Sequence, residues 1–348
     1  MFWYVFKHYA KNMLTVLLAL SLLFTGLDFL MTNSSLPSFN IKVLYIFNRW
    51  QESLNLLYPL AIAFGAIWTK ISFIKNNTLI ALYSLGVSQR DIFKPFLALA
   101  ILTYVIFVGL NFTQFALASD IARAIKKGRY NISNSTDDMF FKYNSSFIYA
   151  KRLIVKESRF EGLKIFIIDG QDVVELQEAK EAIFKDGYWL AKDVTIKRVV
   201  DDKSRLEISH RDTLITLKGY NPKILNSIYE NRRLTLYESV MADRLLLAQG
   251  ITTTKIRADI YSKVLTPLFS ITILIILIFS IPSHARYLNM VIVTAQTLGG
   301  TLFMWGVLFA LNRMGQNGVI SPELASILPI TLLWVVGLYI YNSAEDRT

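Results

Sequence analysis

Apolar runs of about twenty residues recur along this chain, at 13–31, 54–74, 95–118, 264–281, 288–311 and 325–341. A helix of that length crosses the hydrocarbon of a bilayer while satisfying its own backbone hydrogen bonds, which few other structures manage there. Six spans are therefore expected, three before and three after a long charged middle. The first run follows the basic residues Lys7, His8 and Lys11, as a signal peptide would. It is longer than a signal core, and no small-x-small cleavage pattern closes it, so it reads as a retained span with its basic end inside.

The middle obeys different rules. Roughly 25 of the 37 basic and 20 of the 26 acidic residues fall between positions 119 and 261. There the segments FFKYNSSFIYAKRL, FEGLKIFII, VVELQEAKEAIFK, YWLAKDVTIKRVV, RLEISHR and TLITLK alternate or are rich in β-formers, bounded by Gly, Asp, Asn and Ser. Asp186–Gly187 reads as a tight hairpin turn. Eight or so short strands without helical interludes imply a sandwich or jellyroll-like sheet. The net charge of +11 does not point to nucleic acid, because basic residues alternate with acidic ones instead of forming a stripe.

No catalytic constellation emerges. The chain has no cysteine, and its three histidines, His8, His210 and His284, lie far apart, so neither thiol chemistry nor a metal site is expected. No G-x-x-x-x-G-K-[ST] sequence is present, so any ATP hydrolysis belongs to another polypeptide. The acids of the middle alternate with lysines on faces expected to be solvated. No cofactor is expected.

Three passages between the spans stand out. Lys75–Pro95, KNNTLIALYSLGVSQRDIFKP, is polar at both ends with an apolar stripe at Leu79, Leu82, Tyr83 and Leu85–Val87; Gly86 interrupts it, and Ser88 is placed to cap a new helix running into Asp91. Gly250, Tyr261, Lys263, Pro267 and Leu268 mark a polar helix entering the fourth run, with Thr252–Thr254 as its cap. MGQNGVISPELASILP then carries Gly318, Pro322, Leu324 and Pro329. Pro59 and Gly65 are expected to break the second span, and Gly299, Gly300 and Gly306 to allow close helix approach in the fifth. Pro282 stops the fourth span, and His284 and Arg286 fall in the short inner loop beyond it. Lys255, Arg257 and Lys263 read as interfacial anchors or, less simply, as ligand contacts.

In this order and spacing the three passages resemble the LptF/LptG permease family, the membrane subunits of the lipopolysaccharide-exporting ABC transporter, with the LptG branch favoured over LptF. The resemblance implies an α+β membrane protein: six transmembrane helices (3 + 3) with a periplasmic β-jellyroll inserted between helices 3 and 4. The implied divisions are 1–118, 119–233 and 234–348. It makes 77–90 a cytoplasmic coupling helix, with Thr78, Leu79, Leu82, Tyr83, Gly86, Ser88 and Arg90 facing an ATPase; Thr78 stands where the family has an acidic residue.

The implied location is a Gram-negative inner membrane with both termini cytoplasmic. The implied partners are an LptB-like ATPase dimer, a homologous LptF/LptG permease, an LptC-like single-span protein, an LptA-like periplasmic bridge and lipopolysaccharide. A lipid with phosphates and many acyl chains needs an apolar cavity and a cationic rim. Phe24, Phe29, Tyr58 and Phe64 are candidates for the first, and Lys42, Arg49, Arg123 and Arg313 for the second. Asp28 falls where the family usually has a basic residue. Two other classes stay open: a mechanotransmitting or scaffolding subunit that carries no lipid, and a membrane-anchored sheet-domain enzyme, which would need a working His210.

Overall fold

A computed structural model describes residues 1–128, 135–144, 146–170, 172–200, 205–230, 233–281 and 289–343. The inner loop with Pro282, His284 and Arg286 lies outside these residues. The chain divides into two compact units, one formed by Met1–Gly128 with Thr254–Thr348 and the other by Arg129–Thr253.

Helices α1 (Phe2–Thr32), α2 (Phe39–Lys75), α3 (Thr78–Ser84), α4 (Gln89–Leu110) and α5 (Ala118–Lys126) form the first half of the helical unit. Helices α8 (Thr254–Val264), α9 (Phe269–Ser280), α10 (Met290–Gln316) and α11 (Leu328–Ser343) form the second. Six stretches are long and apolar enough to cross a membrane, with α8–α9 joined through a 3-10 turn and α11 preceded by a π-helical turn, Glu323–Ile327. Residues 32–53, between the first two apolar runs, are largely the start of α2, because Lys42, Arg49 and Glu52 are compatible with a helix even where they are too polar for a span. The third span begins at Gln89 and ends at Leu110, before the position expected from its apolar run, because Thr113 caps a separate 3-10 turn.

Pro59 does not interrupt α2. Gly65 serves an approach: a Cβ there would lie 2.6 Å from the Met13 Cα, so α1 and α2 meet backbone to backbone. Gly337 and Gly315 instead make room for small side chains: a Cβ there would lie 2.8 Å from the Thr272 Cγ2 and 2.9 Å from the Ala325 Cβ. Gly299, Gly300 and Gly306 have nothing within 4 Å of a built Cβ, so the expected close approach along α10 is made elsewhere. Polar contacts reinforce the α1–α2 seam: the Tyr9 hydroxyl donates to the Ile62 carbonyl at 2.9 Å, and Asn12 donates to Thr69 at 2.9 Å. In an apolar medium such pairs fasten helices that hydrophobicity alone would not.

The second unit holds a single antiparallel meander in strand order β1 (Ser135–Tyr143), β2 (Ser146–Ile154), β3 (Arg159–Asp169), β4 (Asp172–Lys185), β5 (Tyr188–Val200) and β6 (Arg205–Thr216). The strands are fewer and longer than the eight expected, among the described residues. Asp186 and Gly187 both take positive φ between β4 and β5, as a two-residue hairpin of matching twist demands. Helices α6 (Pro222–Glu230) and α7 (Leu236–Ala248) follow, and α7 opens on a capping box of Thr235 and Glu238.

A bend line crosses the whole sheet. Asp138, Gly162 and Asp193 have positive φ, and the pairing registers align them with Lys151, Lys180 and Asp212. Across that line the buried positions are spaced by three: Thr136 and Met139, Ala150 and Leu153, Phe160 and Leu163, Ala179 and Ala182, Ala191 and Val194. One extra residue per strand keeps one face apolar on both sides of the line while adding local twist. The apolar face is closed at one end by Trp189, whose indole donates to the Tyr220 carbonyl at 2.7 Å and packs at a tilt on Phe160.

Candidate coupling and lipid-contact sites

Helix α3 is only two turns long, and its apolar residues divide between two faces. Leu79 is buried, and Leu82, Tyr83 and Val87 pack on the core of the helical unit. Ile80 and Leu85 point outward, Leu85 at 79% exposure. Most of the expected stripe thus fastens the connector down, and the outward ridge pairs Leu85, from that stripe, with Ile80, which periodicity did not single out. Thr78 is half-buried at the first position of the helix.

Gly86 closes α3 with a Schellman motif: its N–H donates to the Tyr83 carbonyl at 2.9 Å, and that of Val87 to the Leu82 carbonyl at 3.1 Å. Its φ of +77° is what this end requires. Ser88 accepts from the Asp91 backbone at 3.1 Å and so caps α4, which continues as the third span rather than as a short helix. Arg90 lies over the ring of Tyr341 at 4.9 Å, and Phe93, Phe279 and Tyr341 form an aromatic cluster joining α4, α9 and α11.

At the opposite ends of α1 and α2 lies an ionic cluster. Asp28 pairs with Arg49 at 3.0 Å and with Lys126 at 3.6 Å, and accepts from the buried Tyr45 hydroxyl. Arg49 also binds Glu52 at 2.5 Å and covers the Phe24 ring at 4.9 Å. Phe29 packs beside this cluster on Leu36, Tyr45, Ala122 and Ile125.

The family model for the lipopolysaccharide export system permease LptF/LptG matches residues 3–343. The chain belongs to that family. No curated protein matches the chain. An LptF/LptG permease is a multi-pass membrane subunit of lipopolysaccharide export, and the six apolar helices with an inserted sheet domain fit that description.

Within this LptF/LptG permease the lipid-contact candidates are not one site. Phe24, Phe29, Asp28 and Arg49 come together on the α1–α2 ends. Tyr58 is buried and stacked on Phe107 with centroids 4.2 Å apart, and Phe64 packs partly buried against the same core. Lys42 is half-exposed one turn before Tyr45. Arg123 pairs with Asp120 at 3.4 Å, and Arg313 sits on Phe309 at the end of α10.

Sequence reading missed the partners in the second half. Arg257 binds Glu323 at 2.6 Å, and the buried Lys263 binds Asp259 at 2.6 Å, so neither is only an interfacial anchor. Beside them Asn312 donates to Thr266 at 2.8 Å and accepts from Ser326 at 2.7 Å. The spacing Asp259–Lys263, four apart on one helix, was available as a signal. Glu323 reaches Arg257 only across the fold.

Proposed function

We propose that this chain is the transmembrane permease subunit of an ABC-type lipopolysaccharide exporter, worked by a separate cytoplasmic ATPase dimer that docks on α3. The observation that carries the reading is the arrangement of that helix. Leu79, Leu82 and Tyr83 hold it to the span core while Ile80 and Leu85 stand exposed. A connector between spans gains nothing from presenting such apolar side chains to water unless a protein covers them. The flanking Lys75, Arg90 and Lys94, like Lys7 and Lys11 near the first span, favour the cytoplasmic side for this end, which would place both termini there and the sheet in the periplasm.

A second permease of the same family is the fitting neighbour for α1 and α10, two of the helices with much exposed apolar surface, here at Leu22, Leu23, Leu27, Val291 and Phe303. Lipid would enter between the two chains and leave along the apolar face of the sheet toward an LptC-like protein and an LptA-like bridge. The LptG slot is favoured by Lys263–Leu268 and Gly318–Pro329. Replacement of Leu85 by Asp, in cells expressing the full complex, tests the docking. The ATPase should cease to copurify while the permease itself is still recovered from the membrane; unchanged copurification would count against the assignment.

A further inference from the structure

Lys70 lies in the last turns of α2, 4% exposed, and pairs with no carboxylate among the described residues. Its ammonium donates instead to three backbone carbonyls at the end of α9: Leu277 at 3.2 Å, Ile278 at 2.6 Å and Ile281 at 2.6 Å. All three of its protons are used. The last carbonyls of a helix have no partner within it and carry the negative end of its dipole, so a buried cation is matched there by geometry and charge together. Gln89, the first residue of α4, donates to the same Ile278 carbonyl at 2.6 Å.

These contacts fall at one place in the connectivity. Lys70 is five residues before the end of α2, which hands the chain to α3; Gln89 opens α4, which receives it. Both residues flanking the connector helix therefore grip the end of α9, a span from the other half of the chain. Phe93 against Phe279, at 5.3 Å, adds an apolar contact between the same two helices.

We propose that Lys70 is a positioning residue which, with Gln89, clamps the end of α9 to α2 and α4, so that thrust received at α3 moves spans two, three and four as one block. The inference rests on the ATPase-coupling reading above. Without the clamp the first half of the chain would yield to the ATPase while span four lagged behind it. A charge buried within an apolar helix long enough to span a membrane is costly enough that its retention calls for a role, and here its three acceptors identify the element it controls.

The test uses the assembled complex, with its ATPase, in proteoliposomes containing lipopolysaccharide. Lys70→Met keeps most of the unbranched side chain and removes every donor; Lys70→Arg keeps charge and donors. With Met, ATP hydrolysis should persist while lipid released per ATP falls about tenfold, and Arg should restore most of the ratio. A purely structural lysine would lower assembly, hydrolysis and release together, and an unchanged ratio in Lys70→Met would overturn the proposal. Because the chain has no cysteine, spin labels at Asn76→Cys and Ser280→Cys, both exposed, report on the clamp with Lys70 intact. One distance common to the nucleotide-free and vanadate-trapped complexes is expected. A distance that changes between those states would overturn the clamp even if the methionine variant does not fold. Failure of the native chain to retain any ATPase would overturn the transporter reading itself.

Discussion

The guanidinium of Arg90 lies 4.9 Å above the ring of Tyr341, so the second residue of α4 rests on the last span of the chain. A guanidinium on an aromatic face contributes about 0.5–2 kcal/mol, the upper part of that range when water is excluded. The ring of Tyr341 also meets Phe93 and Phe279. Tyr341→Ala should therefore destabilise the helical unit by about 2 kcal/mol, cation and packing together, whereas Tyr341→Phe should cost only a few tenths. Thermal melting of the purified permease in detergent separates the two. Equal losses for Ala and Phe would place the contribution in the hydroxyl rather than the ring.

Gly86 should not tolerate a side chain, although there is open space around it. A Cβ there would meet nothing within 4 Å, yet the left-handed backbone at φ +77° costs an L-residue about 1–2 kcal/mol. Gly86→Ala is expected to fray the end of α3, weaken ATPase copurification and leave the amount of permease in the membrane unchanged. Gly86→Asn, which accepts this backbone more readily, should retain more of the ATPase than Gly86→Ala does. The reverse order would show that size, not backbone conformation, governs the site.

Asp28 holds the guanidinium of Arg49, one of the four cations expected to be candidates for the rim that meets lipid. An anionic lipid must therefore compete with a carboxylate already 3.0 Å away, and with Glu52 at 2.5 Å. Asp28→Asn should loosen the α1–α2 ends by about 1–3 kcal/mol, because Arg49 and Tyr45 both lose a charged partner. It should at the same time increase lipopolysaccharide photocrosslinking from a probe at Lys42. Reduced crosslinking in Asp28→Asn would mean that Asp28 shapes the lipid site instead of masking it.

Three glycines carried much of the family resemblance, and the structure gives them one physical task. Gly86, Gly250 and Gly318 have φ of +77°, +69° and +74°, and each closes a helix with the same pair of backbone hydrogen bonds. That is why they were legible: a helix end needing a left-handed residue leaves a glycine in the sequence. The six spans and the β-rich insert were legible for the same kind of reason, since apolar length and alternation are local. The bend line was not, because an extra residue per strand only shows once six strands are in register. Neither was the grip of Lys70 on α9, because backbone carbonyls leave no trace in residue identity. For Leu79 and Leu82, periodicity identifies a stripe without saying which side of it is already occupied, and the core of the helical unit occupies theirs.

Acid should loosen the sheet through Glu178. Lys197 at 2.5 Å and Lys164 at 3.0 Å hold its carboxyl below the ordinary value of 4.5. A carboxylate whose folded value is depressed stabilises the native state above its unfolded value and loses that contribution as pH falls through the folded one. The melting temperature of the full chain should thus be steady from neutrality to about pH 5 and decline below 4.5. Glu178→Gln should flatten part of that decline while lowering the plateau. A decline equally steep in the glutamine variant would assign it to other carboxylates.

The bend line predicts a phase shift in any map of lipid contact along the strands. If acyl chains travel on the apolar face, photocrosslinkers at Ile148, Ile165 and Ile196 should form lipopolysaccharide adducts, and those at Tyr149, Lys164 and Thr195 should not, since successive side chains point to opposite faces. Simple alternation continued down β3 from Ile165 and Leu163 would then select Glu161. The insertion at Gly162 turns the apolar face to Phe160 instead, and Gly162 has φ +65° with Lys151 Cβ 2.9 Å from a built Cβ. Adducts at Ile165 and Leu163 but not Glu161 would follow the apolar face as far as the bend and show that it does not continue by simple alternation. Phe160, already packed on Trp189 at 4.0 Å, should give few adducts, marking where the lipid path ends and the closed end of the sheet begins. Strong adducts at Glu161, Lys164 or Thr195 would put the lipid on the charged face, and the sheet could then not serve as its apolar conduit.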